Sequence, residues 1–96
     1  MQFMVVLRRR TETYSAEEFA PRLDEEAERA RALYAQGVIR QIWSRGDEPG
    51  ACLLIEAQTE DEAREAIDTL PLIQAEMLDV VLMVPLAPYR GFCPVG

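Results

Sequence analysis

Val38-Ile39-Arg40-Gln41-Ile42-Trp43-Ser44-Arg45 is an apolar-rich run that ends in Gly46-Asp47-Glu48-Pro49-Gly50 and resumes as Ala51-Cys52-Leu53-Leu54-Ile55-Glu56-Ala57. A turn cluster between two runs of strand-like composition reads as strand, turn, strand. Helix signals lie on both sides. Upstream, Ser15-Ala16-Glu17-Glu18 has capping-box spacing, in which a serine side chain and a glutamate satisfy free N–H groups at a helix start. That helix is expected to reach Gln36 and to stop at Gly37, a common left-handed end residue. Pro21 marks either a kink in it or its proper beginning. Downstream, Thr59-Glu60-Asp61-Glu62 repeats the capping spacing. Ala63, Ala66, Ile67 and Leu70 then share one helical face, and Leu70-Pro71-Leu72 is read as the end of that helix.

Phe3 to Leu7 and Met77 to Val84 supply two further strands. The order β-α-β-β-α-β predicts an α+β, ferredoxin-like domain. It has a four-stranded antiparallel sheet with both helices on one face. One domain over residues 1–96 is expected, with a core over 1–84 and an extended C-terminal arm over 85–96. Tyr89, Arg90 and Phe92 on that arm read as a docking segment or a pocket cover.

The strands carry apolar residues at successive positions, as in Phe3-Met4-Val5-Val6-Leu7 and Val80-Val81-Leu82-Met83-Val84. Successive side chains point to opposite sheet faces, so both faces call for cover. Two helices cover one. The other predicts a second copy, sheet packed on sheet, as a homodimer or higher homo-oligomer in a dimeric α+β barrel.

The chain has 96 residues, 49% of them hydrophobic, which fits one folded domain and not a disordered tail. Ten Lys and Arg against 17 Asp and Glu leave a net charge of −7, which argues against nucleic acid and anionic membrane surfaces as partners. Arg8-Arg9-Arg10 reads as a solvated strand end or a source of local ion pairs. No apolar stretch is long enough to span a membrane, and the opening residues lack a leader pattern, so a cytoplasmic location is expected. With two cysteines and no histidine, disulfide scaffolds, zinc ribbons and histidine-based triads are excluded. Cys52 reads as a small core hydrophobe, and Cys93 lacks a neighbour that would activate its thiol.

The first long helix carries the most informative residue. On a helical wheel Leu23, Ala30, Leu33 and Tyr34 cluster with Phe19, and Glu26 falls inside the same apolar arc. An acid there must either pair with a cation such as Arg40 or hold its proton more tightly. The second outcome suits proton transfer. In the following strand, alternation places Ile39, Gln41 and Trp43 on one face and Val38, Arg40 and Ile42 on the other. Arg40 is a candidate for binding a substrate carboxylate, for pairing with a helix acid, or for bridging a dimer. Trp43 is a core, interface or pocket aromatic.

Gly37 at the helix end, Arg40-Gln41-Ile42-Trp43 and Leu70-Pro71-Leu72 together resemble the muconolactone delta-isomerases, which share a helix-ending glycine, an Arg-x-x-Trp strand and a Leu-Pro-Leu. The resemblance implies a ferredoxin-like fold, dimers that assemble further, and no metal or organic cofactor. It implies proton movement within an unsaturated lactone during aromatic catabolism. It also places Glu26 at the family's acid/base position, through the pair Glu25-Glu26. The chain departs from the family pattern at Ile39, Ala51, Ser44 and Ala27; the last two stand where family members often carry basic residues. The expected function is isomerisation of a small anionic ring compound, with Glu26 shuttling the proton and Arg40, Trp43, Phe19 and Tyr34 binding the substrate or walling its pocket. Alternatives are a small-molecule-binding barrel, a cofactor-free oxygenase and a non-catalytic assembly module.

Overall fold

The computed structural model describes residues 1–92, so Cys93 lies outside the described residues. Strand β1 (Gln2–Arg9) is followed by a one-turn helix α1 (Ala16–Phe19), a 3-10 turn over Ala20–Arg22 and helix α2 (Leu23–Ala35). Strands β2 (Ile39–Ser44) and β3 (Gly50–Glu56) form the hairpin. Helices α3 (Glu60–Ile67) and α4 (Pro71–Gln74) precede β4 (Leu78–Leu86). The sheet order is β2-β3-β1-β4, with every neighbouring pair antiparallel. This is the ferredoxin-like arrangement, and its α+β class follows from the element order.

The local signals act as their chemistry dictates. At Ser15 the hydroxyl accepts from the Glu18 N–H at 3.3 Å, and the Glu18 carboxylate accepts from the Ser15 N–H at 3.0 Å. Thr59 Oγ1 accepts from the Glu62 N–H at 3.1 Å, but Glu62 reaches back to the N–H of Gln58 instead of Thr59. Gly37 adopts φ +80°, with Val38 N–H donating to the Leu33 carbonyl and Gly37 N–H to that of Tyr34. Those two bonds are the Schellman ending of α2.

Two helix expectations need correction. Pro21 sits in the 3-10 turn, so the helix over 15–36 is divided and its phase does not run unbroken from Phe19. Leu70-Pro71-Leu72 does not merely end a helix: α3 stops at Ile67, and Pro71 opens α4. Proline suits a first helical position, where no N–H is required. Strand β4 also runs two residues past the expected Val84.

Phe3, Val5 and Leu7 point into the helix layer and are buried, as are Leu53 and Ile55 beside them. Phe19, Leu33, Ala63, Ile67 and Leu72 meet them from the helices. A β-bulge at Arg40 changes the expected alternation: Ile39 pairs with Ile55 and Ile42 with Leu53, so both face the helices. Gln41 and Trp43, opposite Leu54 and Cys52, face the other way.

Among the described residues no helix covers that other face. Register aligns Trp43, Cys52, Val6 and Leu82 in one row across all four strands. The adjacent row is Gln41, Leu54, Met4 and Val84. Trp43 and Leu82 remain 48% and 47% exposed. No helix among the described residues is long and apolar enough to cross a membrane.

Candidate active site

A cavity of about 170 Å³ opens between α2 and the end of the sheet where β1 finishes and β4 begins. A dry cavity near 150 Å³ holds a benzene-sized molecule, so the space is right for one small ring. Glu26, Ala27 and Ala30 form its helical wall, and Leu70 and Leu72 close one side. The sheet contributes Leu7, Arg9, Leu53 and Leu78, with Ile42 and Ser44 from the edge strand. The lining is apolar apart from the Glu26 carboxyl, the Arg9 guanidinium, the Ser44 hydroxyl and backbone.

Glu26 is half-buried and held in place. Its Oε1 accepts from the Leu72 backbone N–H at 3.0 Å. Pro71 has no N–H, so Leu72 supplies the first free donor of α4, and the carboxylate satisfies it. The Leu70-Pro71-Leu72 segment thereby fixes the acid of α2. Burial holds the Glu26 carboxyl above its ordinary value of 4.5, while the Leu72 N–H and the charge of Arg9 pull it down. The net effect is a carboxyl that keeps its proton longer than a solvated one.

This direction has a sign in stability. A proton bound more tightly in the folded state stabilises it fully below pH 4.5, and that contribution is lost as pH rises through the higher folded value. Wild type is therefore expected to lose stability relative to Glu26→Gln between about pH 4 and about pH 7. Urea unfolding of both proteins at the two pH values measures it. An unchanged difference would show that Glu26 titrates as a solvated acid.

Gly50, also at the cavity, packs its backbone against β1. A Cβ there would collide with the Leu7 carbonyl oxygen and come within 3.0 Å of the Arg45 side chain. Gly50→Ala is expected to force the β1–β3 pair apart and destabilise the fold by about 1–3 kcal/mol. A shifted denaturant midpoint would register this; an unchanged midpoint would refute the close approach.

Of the expected site residues, the structure brings only Glu26 to this cavity. Phe19 is buried in the core beneath it, where its ring meets Tyr14 edge-on and carries the Arg9 guanidinium 5.3 Å from its centroid. Tyr34 is 63% exposed. It follows the buried Leu33 by one residue, a rotation of about 100° off the inward line of α2. Arg40 sits exposed at the bulge of the edge strand, and its charge adds to the hydrogen bond from the N-terminal amine that holds the Glu56 carboxyl below its usual value. Trp43 lies on the bare sheet face. Neither Arg40 nor Trp43 lines the cavity.

Arg9 is the residue that sequence reasoning passed over. Its neighbours behave as the basic run suggested: Arg8 binds Glu12 at 2.8 Å and Asp79 at 2.9 Å, and Arg10 lies close to the same two acids. Arg8 holds the Glu12 carboxyl down at about 2. Arg9 instead continues the inward series Phe3, Val5, Leu7. Extending that alternation by one step was the available signal.

Among the described residues no three Asp, Glu or Cys side chains converge as a metal-holding group. Compared with known proteins, the chain matches no curated protein. The family model described as muconolactone delta-isomerase matches residues 1–91. That match spans nearly all of the 96 residues, from β1 through the hairpin and α4 to the end of β4, and the protein belongs to the muconolactone delta-isomerase family.

Proposed function

We propose that the protein isomerises a small unsaturated lactone by cofactor-independent proton transfer, with Glu26 as the acid/base, in the breakdown of aromatic compounds. The observation that carries this is a half-buried carboxyl, anchored on one oxygen by Leu72 and lining an apolar cavity the size of one small ring. Family membership supports the reaction class. In the ionised form Glu26 takes a proton from the ring carbon attached to the end of the double bond far from the lactone carbonyl. The electron pair left behind delocalises through the ring onto the carbonyl oxygen. Glu26 then delivers a proton to the carbon next to the lactone carbonyl, and the double bond moves one position along the ring. One base suffices, because removal and return take place on one face of one small ring.

Muconolactone in deuterated buffer is the test. Turnover seen by NMR, with deuterium from the buffer confined to the carbon that receives the proton, next to the lactone carbonyl, is the expected result. No turnover by the wild type would overturn the substrate assignment.

A second copy is proposed to cover the bare sheet face. The apolar row Trp43, Cys52, Val6 and Leu82 supports this, since a contiguous exposed patch of that kind is unusual on a monomer. Trp43 then serves the contact between copies and not the lactone.

A further inference from the structure

We infer that Arg9 is the substrate's carboxylate receptor, holding an anionic group at the sheet side of the cavity opposite Glu26, with Phe19 as its positioning residue. The inference rests on the isomerase reading for the identity of the ring, but the receptor itself is argued from four observations.

Arg9 is the cation among the residues that line the cavity, and Glu26 is the anion. Ion pairs of the described residues engage Arg8, Arg10, Arg45 and the N-terminal amine, and none engages Arg9. No hydrogen bond from its guanidinium to another described residue is formed either, whereas both Arg8 and Arg10 donate. Arg9 and Glu26 thus share a cavity and feel each other's charge without joining. A guanidinium left with unused donors beside an apolar space is suited to a planar carboxylate, which it can grip through two parallel N–H groups.

Phe19 explains why the guanidinium stays at the cavity. Its buried ring face lies 5.3 Å from the Arg9 carbon centre, and Tyr14 braces that ring edge-on with centroids 6.2 Å apart. A cation over an aromatic face is attracted to it and loses freedom to swing into solvent. The arrangement also answers an electrostatic problem. A substrate carboxylate entering beside Glu26 would repel the base in its working, ionised form. Arg9 offsets that repulsion and leaves the reacting ring between the two groups.

The test separates this inference from the isomerase reading. Binding is measured by calorimetry in a Glu26→Gln parent, in which turnover of the probe is expected to be slow, with NMR of the recovered probe as the check. The probes are muconolactone, which carries a free carboxylate, and its methyl ester, which does not. Adding Arg9→Gln is expected to weaken muconolactone binding by about 10–100-fold and to change ester binding by less than about threefold. Arg9→Lys keeps the charge without the fork and is expected to fall between. Phe19→Leu keeps core bulk but removes the ring face, and is expected to reduce the preference for carboxylate over ester; an unchanged preference would remove Phe19 from the arrangement. Circular dichroism checks that each variant is folded. Equal loss for both probes, or no loss for muconolactone, would overturn the receptor role even if wild type isomerises the lactone. Arg9-dependent carboxylate binding without turnover by wild type would leave the receptor standing and sink the isomerase reading. No binding of either probe would sink both.

Discussion

Glu26→Gln is expected to lower lactone isomerisation by about 10²–10⁴-fold while leaving the fold in place. Glutamine keeps the carbonyl oxygen that accepts from the Leu72 N–H, so the start of α4 stays satisfied. What it loses is the ability to take and return a proton. Glu26→Ala is a poorer probe, because it also strands the Leu72 donor. The activity of wild type should rise with pH as Glu26 loses its proton, with an inflection above 4.5 because burial holds the proton on. Steady-state rates across pH, with wild type and Glu26→Gln side by side, read both effects. Turnover of Glu26→Gln at the wild-type rate would remove Glu26 from the chemistry.

Leu82→Asp is expected to convert a dimer or larger assembly into a monomer of 10.9 kDa. Leu82 ends the row Trp43, Cys52, Val6, Leu82 on the face that no helix of the described residues covers. Burying a leucine is worth about 1.5–3 kcal/mol, and in a two-fold contact each change counts twice. An aspartate at the same place adds an unpaired charge that must be stripped of water. The single chain should tolerate it, since Leu82 is already 47% exposed there. Light scattering gives the mass. A monomeric wild type would refute the proposed assembly, and a Leu82→Asp protein that still associates would place the contact elsewhere.

Element types were legible in the residues because their signals are local. Ser15, Thr59 and Gly37 each act within a few positions, and the caps and helix end appear where those residues stand. The site was legible only in part. Glu26 was visible because one acid on an apolar stripe is anomalous within a single helix. Arg9 was hidden by its company: three consecutive arginines look solvated, although the alternation Phe3, Val5, Leu7 carried one step further turns the middle one inward, as its pairing with Leu78 shows. Ile39 was grouped with Gln41 and Trp43 by a two-residue alternation that the bulge at Arg40 interrupts, so that it faces the helices with Ile42 instead. A bulge is an agreement between two strands, and no run of one strand announces it.

The sequence by itself determined the β-α-β-β-α-β order, the helix caps, the apolar character of both sheet faces and the choice of Glu26 as the odd acid. These depend on side-chain type and spacing within a turn or a strand. Only the tertiary structure decided that Leu72 anchors that acid, that Arg9 and not Arg40 shares its cavity, and that Trp43 belongs to the uncovered face. The acid–anchor contact spans 46 positions, and Arg9 and Glu26 come from different elements. Such meetings follow from how helices cross a sheet and how strands register, and both are set by packing across the whole core.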